Sequence, residues 1–392
     1  MTMFKVQTLN NISTLGLERL PREQYEVGSE FSRPDAVMVR SADMHKMEIA
    51  SSICAIGRAG AGTNNIPVAA MSKRGVPVFN APGANANAVK ELVLAGLLLA
   101  ARNIFTALDF VKKLDGNDKE MHVAVEAGKK KFVGFELPGR SLGVIGLGAI
   151  GVKLANAAID MGMEVWGFDP AMTVQNAWKL DARVRQALSV DDLMSRCQFV
   201  SVHVPLLEAT RGLINAERIK MLKPGGIVLN FARDAIVDEK AAVEALDAGG
   251  LHAYVCDFPT PLLKDHPRVI ATPHLGASTK EAEDNCAVMV ADQLRDFLEN
   301  GNITNSVNFP EAVMPLLPGK TRLCISNANV PNMVGQISTE LANHSLNIAD
   351  LLNKSRGDIA YTLADVDSDV PQAAVDAIAK IEGVLKVRVI KA

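Results

Sequence analysis

The chain contains 392 residues, which is more than one ordinary domain holds and enough for two or three. Hydrophobic residues make up 48% and charged residues 22%, proportions that are normal for a soluble globular protein. The formal net charge of -3 argues against a general affinity for nucleic acid or acidic membranes, and the one basic run, 129–131, is predicted to be a solvated surface loop.

Strands and helices are predicted to alternate in the first hundred residues. Three short apolar runs, 36–39, 53–56 and 76–80, are typical of buried parallel strands. The apolar stretch 87–102 predicts a long buried helix. Its uninterrupted apolar core is only about half as long as a membrane span. Together with 282–310, residues 1–103 are therefore expected to form one α/β domain.

A second α/β domain is predicted for residues 104–281. Its strands are expected at 141–145, 164–168, 199–204, 226–231, 253–257 and 269–272. Helical stretches separate most of them, the first at 149–161. This alternation predicts a doubly wound parallel sheet.

The remaining sequence predicts a long helix, a linker and a small third domain. The helix is expected at 281–300, where apolar residues recur at helical spacing before a glycine. Residues 309–319 contain three prolines and a glycine, so the linker is placed at 311–319. Residues 320–392 predict a separate βαββαβ unit, with strands at 322–326, 348–355, 359–366 and 384–390.

A glycine-rich turn at Gly146, Gly148 and Gly151 lies between a predicted strand and a predicted helix. In this Gly-x-Gly-x-x-Gly spacing the glycines permit a tight turn, close approach of a pyrophosphate, and packing of the helix on its strand. Asp169 ends the following strand, where a carboxylate accepts hydrogen bonds from ribose hydroxyls and repels a 2′-phosphate. The pattern therefore predicts bound NAD rather than NADP.

Two further strand ends carry candidate catalytic residues, Arg233 and His274. Ligands of such sheets bind beyond the carboxyl ends of the strands. A guanidinium holds a substrate carboxylate through two parallel hydrogen bonds, and histidine is the natural base for an alcohol proton near neutral pH. Either residue alone is more often structural, but behind a dinucleotide-binding turn the pair predicts oxidation of a 2-hydroxy acid.

Several segments resemble the D-isomer-specific 2-hydroxyacid dehydrogenases. They are 57–62, 80–85, 146–151, 202–206, 230–238, 273–279 and 305–310. The resemblance covers nearly the whole chain. It implies a doubly wound Rossmann-type cofactor domain, a flavodoxin-like α/β substrate domain, and a βαββαβ ACT-like domain at the C-terminus.

The resemblance also implies roles for single residues. His274 is expected to be the acid/base, Arg233 the carboxylate anchor, and Asp257 a neighbour of the nicotinamide amide. The expected substrate-binding residues are Arg58, Ala59, Gly60, Asn85 and Arg233. The expected cofactor contacts are Gly146, Gly148, Ala149, Ile150, Gly151, Asp169, His203, Val204, Pro205, Phe231, Ala232, Arg233, Asp257, His274 and Gly276.

The sequence departs from the family near the catalytic histidine. Members usually place a glutamate, hydrogen-bonded to that histidine, a few residues after the position of Asp257, whereas this chain has Pro261 near the expected place. The alternatives for its partner are Asp265, Glu281 and Glu283. Lys90 stands where relatives often carry a small apolar residue, and the sequence gives no account of it.

The similarity of the whole chain implies oxidation of 3-phospho-D-glycerate to 3-phosphohydroxypyruvate with NAD, the first step of phosphorylated serine biosynthesis. Arg58 is the best candidate for binding the phosphate, because it follows the end of a predicted strand and starts a glycine-rich loop. Lys129 to Lys131 are a second candidate, across a dimer interface. The alternatives are another D-2-hydroxy acid, such as glycerate, lactate or 2-hydroxyglutarate, and a non-catalytic NAD-sensing interaction protein.

The ACT-like unit implies regulation, because such domains pair and bind serine at their interface in related enzymes. The expected effector-binding residues are Asn327, Asn329 and Asn347, in a homo-oligomer that is a dimer or tetramer. Asn332 stands where a glycine is usual, and asparagine tolerates the same left-handed backbone. A purely dimerising domain is the alternative.

The five cysteines are scattered and form no Cys-x-x-Cys pair or Cys/His cluster at the spacing of a metal site. Free thiols are typical of a reducing compartment, so we expect a cytoplasmic protein without disulfides or bound metal. The first ten residues contain no apolar signal region.

Overall fold

The computed structural model describes residues 3–391. The chain divides into two compact units, one formed by the chain up to Asn85 and from Lys280 onward, the other by Ala86–Thr279. This boundary precedes the one predicted at 103/104. The helix predicted at 87–102 belongs to the second unit because it packs there: a Cβ added at Gly96 would lie 2.7 Å from Val255 Cγ1.

The N-terminal part of the first unit is a five-stranded parallel sheet. Its elements are β1 (Phe4–Leu9), α1 (Thr14–Leu17), β2 (Tyr25–Gly28), β3 (Ala36–Val39), β4 (Ala55–Arg58), α2 (Val68–Lys73) and β5 (Val78–Phe79). The strand order β2-β1-β3-β4-β5, with parallel neighbours throughout, is the predicted flavodoxin-like order. The sequence did not predict β1 or β2, and β2 is a short edge strand that ends in glycine.

The second unit is a seven-stranded parallel sheet with helices on both faces. Its elements are α3 (Ala86–Ala101), α4 (Ile104–Lys112), α5 (Asp118–Gly128), β6 (Ser141–Ile145), α6 (Ala149–Asp160), β7 (Glu164–Phe168), α7 (Val174–Lys179), β8 (Arg185–Gln186), α8 (Val190–Arg196), β9 (Phe199–Val202), α9 (Ala216–Met221), β10 (Gly226–Asn230), α10 (Glu239–Asp247), β11 (Leu251–Cys256) and β12 (Val269–Ala271). The order β12-β11-β10-β9-β6-β7-β8 confirms the predicted doubly wound sheet. It places the turn after β6 at the point where the strand order reverses.

The first unit is completed by a long helix and a second sheet. These elements are α11 (Lys280–Asn300), β13 (Thr321–Ala328), α12 (Met333–Asn343), β14 (Ile348–Arg356), β15 (Ile359–Val366), α13 (Gln372–Ala379) and β16 (Val384–Lys391). The antiparallel order β14-β15-β13-β16 confirms the predicted βαββαβ domain.

The segment predicted as a linker is packed rather than open. Phe309 and Met314 are buried in one apolar cluster with Tyr361 of β15. Arg322 of β13 is fully buried, ion-paired with Asp365 at 2.6 Å, and donates to the carbonyls of Asn300, Met314 and Pro315. These contacts fasten the C-terminal domain to the end of α11.

The sequence also left the α4–α5 segment unassigned. Lys129 to Lys131 follow α5 as an exposed 3-10 turn instead of a loop, and Lys129 pairs with Glu126. Within residues 3–391, no single helix is long and apolar enough to cross a membrane. The α3–α4 pair reaches that length only when the two helices are joined across a 67° bend.

Candidate active site

The glycine-rich turn joins β6 to α6 at the carboxyl edge of the second unit's sheet. Gly146 has φ +92°, and a Cβ there would lie 2.7 Å from the His203 carbonyl oxygen. A Cβ at Gly151 would lie 1.9 Å from the Gly146 carbonyl oxygen. Both positions therefore require glycine, as the spacing predicts.

The same turn fits a pyrophosphate. Nothing lies within 4 Å of a Cβ added at Gly148, so this face of the backbone is open. Gly148 is also the N-cap of α6 and supplies no side-chain acceptor. The N–H groups of the first helical turn, which include those of Ala149 and Ile150, are thus available to an anion.

Asp169 directly follows β7, beside this turn. Its Oδ2 accepts the Leu147 N–H and its Oδ1 the Ala171 N–H, each at 2.8 Å. No Lys or Arg within residues 3–391 forms an ion pair with it, so its charge is uncompensated. That charge is suited to ribose hydroxyls and repels a 2′-phosphate.

His203 and Val204 follow β9 and border the glycine turn. The His203 N–H donates to the Ile145 carbonyl at 2.7 Å, and its Nε2 lies 2.8 Å from Ser201 Oγ. Burial lowers the pKa of His203 to about 4, so the ring is neutral at physiological pH. Pro205 is exposed next to them.

Arg233 lies on the loop after β10, with its side chain exposed and without a carboxylate partner within residues 3–391. The fully buried Asn230 holds this loop: its Oδ1 accepts the Ala232 N–H at 3.2 Å, and its Nδ2 donates to the Arg233 carbonyl at 2.8 Å. Phe231 and Ala232 are buried between them. No role for Asn230 was predicted from the sequence, although an amide residue at the end of an apolar strand, directly before a functional loop, was a usable signal.

His274 follows β12 in a left-handed backbone conformation, with φ +57°. Its N–H lies 3.0 Å from the Thr272 carbonyl and 3.1 Å from the Asp257 carbonyl. The imidazole is exposed and meets the Phe258 ring edge-on at 5.1 Å. Within Ala86–Thr279, no carboxylate is hydrogen-bonded to it.

Asp257 is buried beneath the turn that contains His274. Its Oδ1 accepts the Thr272 hydroxyl at 2.6 Å and the Leu275 N–H at 2.7 Å, and its Oδ2 accepts the Gly276 N–H at 2.8 Å. The structure thus gives this carboxylate three partners on the histidine loop.

The three carboxylates predicted as possible partners of His274 are either exposed to solvent or paired with a basic side chain. Asp265 is mostly exposed and lies 3.6 Å from Lys264 Nζ. Glu283 pairs at 2.5 Å with Arg40 inside the first unit, and this hydrogen bond lowers the pKa of the Glu283 carboxyl. Glu281 is exposed at the start of α11.

Lys90 lies on α3, with a side chain only 19% exposed and its Nζ 3.6 Å from Glu91 Oε1. Asn87 Nδ2 in turn donates to Glu91 at 2.7 Å. Beyond this pairing, nothing in the structure explains the lysine.

In the first unit, Arg58 ends β4 and is half-buried. Its Nε donates to the Arg40 carbonyl at 3.0 Å, and it has no carboxylate partner within residues 3–391. Burial and the neighbouring Arg40 lower the pKa of its guanidinium. A Cβ at Gly60 would lie 1.7 Å from Arg58 Nη1, so the guanidinium lies over that glycine. Arg40, which the sequence analysis did not single out, thus stands next to Arg58.

Two other predicted substrate residues, Ala59 and Asn85, belong to the same unit. Ala59 is buried, and its N–H donates to the Val39 carbonyl at 2.8 Å. Asn85 is half-buried at the end of the first unit's N-terminal part.

The three predicted effector residues do not come together in one chain. Asn327 is fully buried and donates to the Ala328 carbonyl. Asn329 donates to the Gly357 carbonyl at one end of the C-terminal sheet, and Asn347 donates to Asp367 at the other. Asn332 has φ +62° and begins α12, the left-handed conformation that the sequence analysis allowed.

The second unit therefore has a glycine turn at the reversal point of a parallel sheet, an acidic residue on the next strand, and Arg and His beyond two further strands. This combination defines a dinucleotide-dependent dehydrogenase.

Comparison with known proteins identifies the family. Residues 95–276 match the D-isomer specific 2-hydroxyacid dehydrogenase NAD binding domain. The D-3-phosphoglycerate dehydrogenase of Haemophilus influenzae is 34% identical over 356 residues, 88% of this chain and 83% of that protein. That of Escherichia coli K12 is 33% identical over 354 residues, 87% and 82% of the two chains. The chain belongs to the D-isomer-specific 2-hydroxyacid dehydrogenase family.

Solved structures agree with this assignment. The NAD+-bound 3-phosphoglycerate dehydrogenase of Entamoeba histolytica is 27% identical with a TM-score of 0.60, covering 78% of this chain and 99% of that one. A D-2-hydroxyisocaproate dehydrogenase has a TM-score of 0.63 at 22% identity, covering 78% of this chain and 100% of that one, and shows the shared fold.

Proposed function

We propose that this chain oxidises 3-phospho-D-glycerate to 3-phosphohydroxypyruvate with NAD, the first step of phosphorylated serine biosynthesis. The names of the two bacterial relatives support this substrate. Membership of the family supports the reaction class, and the open glycine turn with the uncompensated Asp169 supports NAD as cofactor.

The choice of a phosphorylated substrate rests on one observation, the half-buried guanidinium of Arg58, which has no carboxylate partner within residues 3–391. A half-buried guanidinium without a carboxylate partner is costly to maintain, because its desolvation is not repaid by an opposite charge. A substrate phosphate supplies that charge and accepts paired hydrogen bonds from the planar guanidinium. The neighbouring Arg40 adds a second cation, although Glu283 already neutralises part of its charge.

The proposed chemistry divides between two loops of the second unit. Arg233 binds the substrate carboxylate and orients the adjacent hydroxyl, because its exposed guanidinium has no carboxylate partner within residues 3–391 and bonds only to the Ala232 carbonyl there. A ring nitrogen of His274 takes the proton of the C2 hydroxyl as the alcohol becomes a ketone. NAD, when bound, supplies the acceptor for the hydride that leaves C2.

Replacing Arg58 by Ala tests the phosphate role. We expect the KM for 3-phospho-D-glycerate to rise by about 10- to 100-fold, the value of one lost charge-assisted interaction. The KM for D-glycerate, which has no phosphate, should change little. The exposed Arg183, which pairs with Asp181, provides the control variant Arg183→Ala. Equal effects of Arg58→Ala on both substrates would refute the assignment.

Two other functions are separable in the same assay. Faster NADH formation with lactate, D-glycerate or 2-hydroxyglutarate than with the phosphorylated substrate would favour another D-2-hydroxy acid. Absence of NADH formation with every member of the panel, despite NADH binding, would favour a non-catalytic NAD-sensing protein.

We further propose that the chain is a homo-oligomer that associates through α4 and α5. Phe105, Leu108 and Val111 on α4, with Val123 on α5, are each more than half exposed, and no residue of α4 is buried. An apolar face of this kind is typical of an association surface. Light scattering should detect a dimer or tetramer that Leu108→Glu dissociates, whereas a monomeric wild-type protein would contradict the proposal.

Serine is the proposed effector of the C-terminal domain. Because Asn329 and Asn347 lie at opposite ends of one sheet, a shared site requires a second copy of the domain. Among residues 3–391, the edge strand β14 has a neighbouring strand on one side only, so its other side is available for such pairing. Isothermal titration with L-serine should give heat that Asn329→Ala abolishes; heat that this variant leaves unchanged would remove the residue from the site.

We propose a cytoplasmic location because the cysteines form no disulfide bonds within residues 3–391. All five cysteines are free in the structure, which suits a reducing compartment. Fractionation of cells that produce the protein tests this location, and recovery outside the cytoplasm would contradict it.

A further inference from the structure

The conformation of His274 requires an explanation. A φ of +57° is uncommon for residues other than glycine, and such a backbone persists only where its surroundings impose it. The side chain of the next residue, Leu275, is 41% exposed, so burial of apolar surface does little to hold this turn. Polar contacts must hold it instead.

Those contacts converge on Asp257. Its carboxylate accepts the Thr272 hydroxyl before the histidine and the Leu275 and Gly276 N–H groups after it, all between 2.6 and 2.8 Å. Its own carbonyl accepts the His274 N–H at 3.1 Å. Asp257 is therefore hydrogen-bonded to the loop both before and after His274.

The burial and close packing of the Asp257 carboxylate are consistent with this role. Asp257 is 1% exposed and forms no ion pair within residues 3–391, so the loop's hydrogen-bond donors are what stabilise its buried charge. A Cβ at Gly276 would lie 3.2 Å from Oδ2, which leaves no spare room between the loop and the carboxylate. Both carboxylate oxygens are thus directed at the loop.

We propose that Asp257 is the positioning residue for the acid/base His274. It orients the imidazole through the backbone of its turn, together with the edge contact to Phe258, and so replaces a carboxylate bonded to the ring. A role at the nicotinamide amide is the competing assignment for the same residue. The proposal rests on the proposed function only in taking His274 as the acid/base.

The variants Asp257→Asn and Thr272→Val test the proposal. The amide cannot accept from all three donors, so kcat should fall at least tenfold, while the Kd for NADH, measured by fluorescence titration, stays within twofold. Thr272→Val removes the hydroxyl's 2.6 Å bond to Asp257, together with its 3.4 Å contact to the Cys256 carbonyl, and should lower kcat about three- to tenfold. Thr272→Ser, which keeps the hydroxyl, should restore it. Asp191→Asn, an exposed carboxylate that pairs with Arg218, is the control.

Several outcomes would overturn the proposal. One is an unchanged kcat in Asp257→Asn; another is a Kd for NADH weakened tenfold with kcat retained, which would assign the residue to the nicotinamide. If Asp257→Asn does not fold, equal kcat values for Thr272→Val and Thr272→Ser would decide against it. All rates are measured with the best substrate of the wild-type enzyme, so a wrong substrate assignment does not affect the result.

A crystal structure of Thr272→Val gives a readout independent of catalysis. The proposal predicts a displaced imidazole or an altered His274 φ. An unchanged histidine turn would contradict it even if the wild-type protein turned over no substrate.

Discussion

The partly buried His203 should make the second unit sensitive to acid. Burial lowers the pKa of this residue from 6.5 to about 4 in the folded protein. The unfolded chain therefore binds a proton that the folded chain does not bind between these two values. The stabilisation is fully present above pH 6.5 and is lost as the pH falls toward 4.

The expected size follows from the same two values. They differ by about 2.5, and each pKa unit corresponds to 1.36 kcal/mol, which gives a loss of about 3 kcal/mol in the free energy of unfolding. Replacing His203 by Gln removes this contribution to the pH dependence. The matched control is His122→Gln, an exposed position on α5.

The assay is urea unfolding followed by tryptophan fluorescence at several pH values between 7.5 and 4. Both tryptophans, Trp166 and Trp178, lie in the second unit, so the signal reports the unit that contains His203. The wild-type protein and His122→Gln should lose about 3 kcal/mol more than His203→Gln over this range. Equal losses in all three proteins would refute the reasoning.

Four further substitutions have defined outcomes. Gly60→Ala should displace the Arg58 guanidinium and raise the KM for the phosphorylated substrate in steady-state kinetics, because the new Cβ would lie 1.7 Å from Nη1. Asn230→Ala should lower kcat about tenfold, because it releases the loop that contains Arg233. An unchanged circular dichroism spectrum would show that the variant is folded. The buried Gln293 has no hydrogen-bond partner within residues 3–391 for either of its amide atoms, so Gln293→Met should raise the free energy of unfolding by about 1 kcal/mol in chemical denaturation. Arg322→Met should destabilise by about 3–5 kcal/mol in the same measurement, because Asp365 would remain buried without its partner. A change of opposite sign in any of these measurements would contradict the structural observation on which the prediction rests.

Most of the fold was predictable because its signals are local. The parallel strands are short apolar runs, and β6 and β7 were predicted with the bounds that the structure has. The glycine turn is equally local, since its three glycines satisfy three separate steric needs of one loop. Edge strands such as β2 carry weaker patterns because only part of their surface is buried.

The missed features depend on contacts between distant parts of the chain. The segment 309–319 has the composition of a linker, but Arg322 fastens it by hydrogen bonds that no local pattern encodes. Arg40 became a candidate only because β3 and β4 are neighbours, which brings its carbonyl to Arg58. For Asp257, the sequence indicated a role beside the cofactor, whereas its bonds to the histidine loop require the three-dimensional structure.

The ratio of kcat/KM for 3-phospho-D-glycerate to that for D-glycerate, both followed by NADH formation at 340 nm, tests the central claim most directly. The unpaired Arg58 predicts a preference of about 100-fold or more for the phosphorylated substrate, because a charge-assisted contact to phosphate is worth roughly 1.5–3 kcal/mol and two guanidinium groups are near. A ratio near one, or a preference for D-glycerate, would contradict the account.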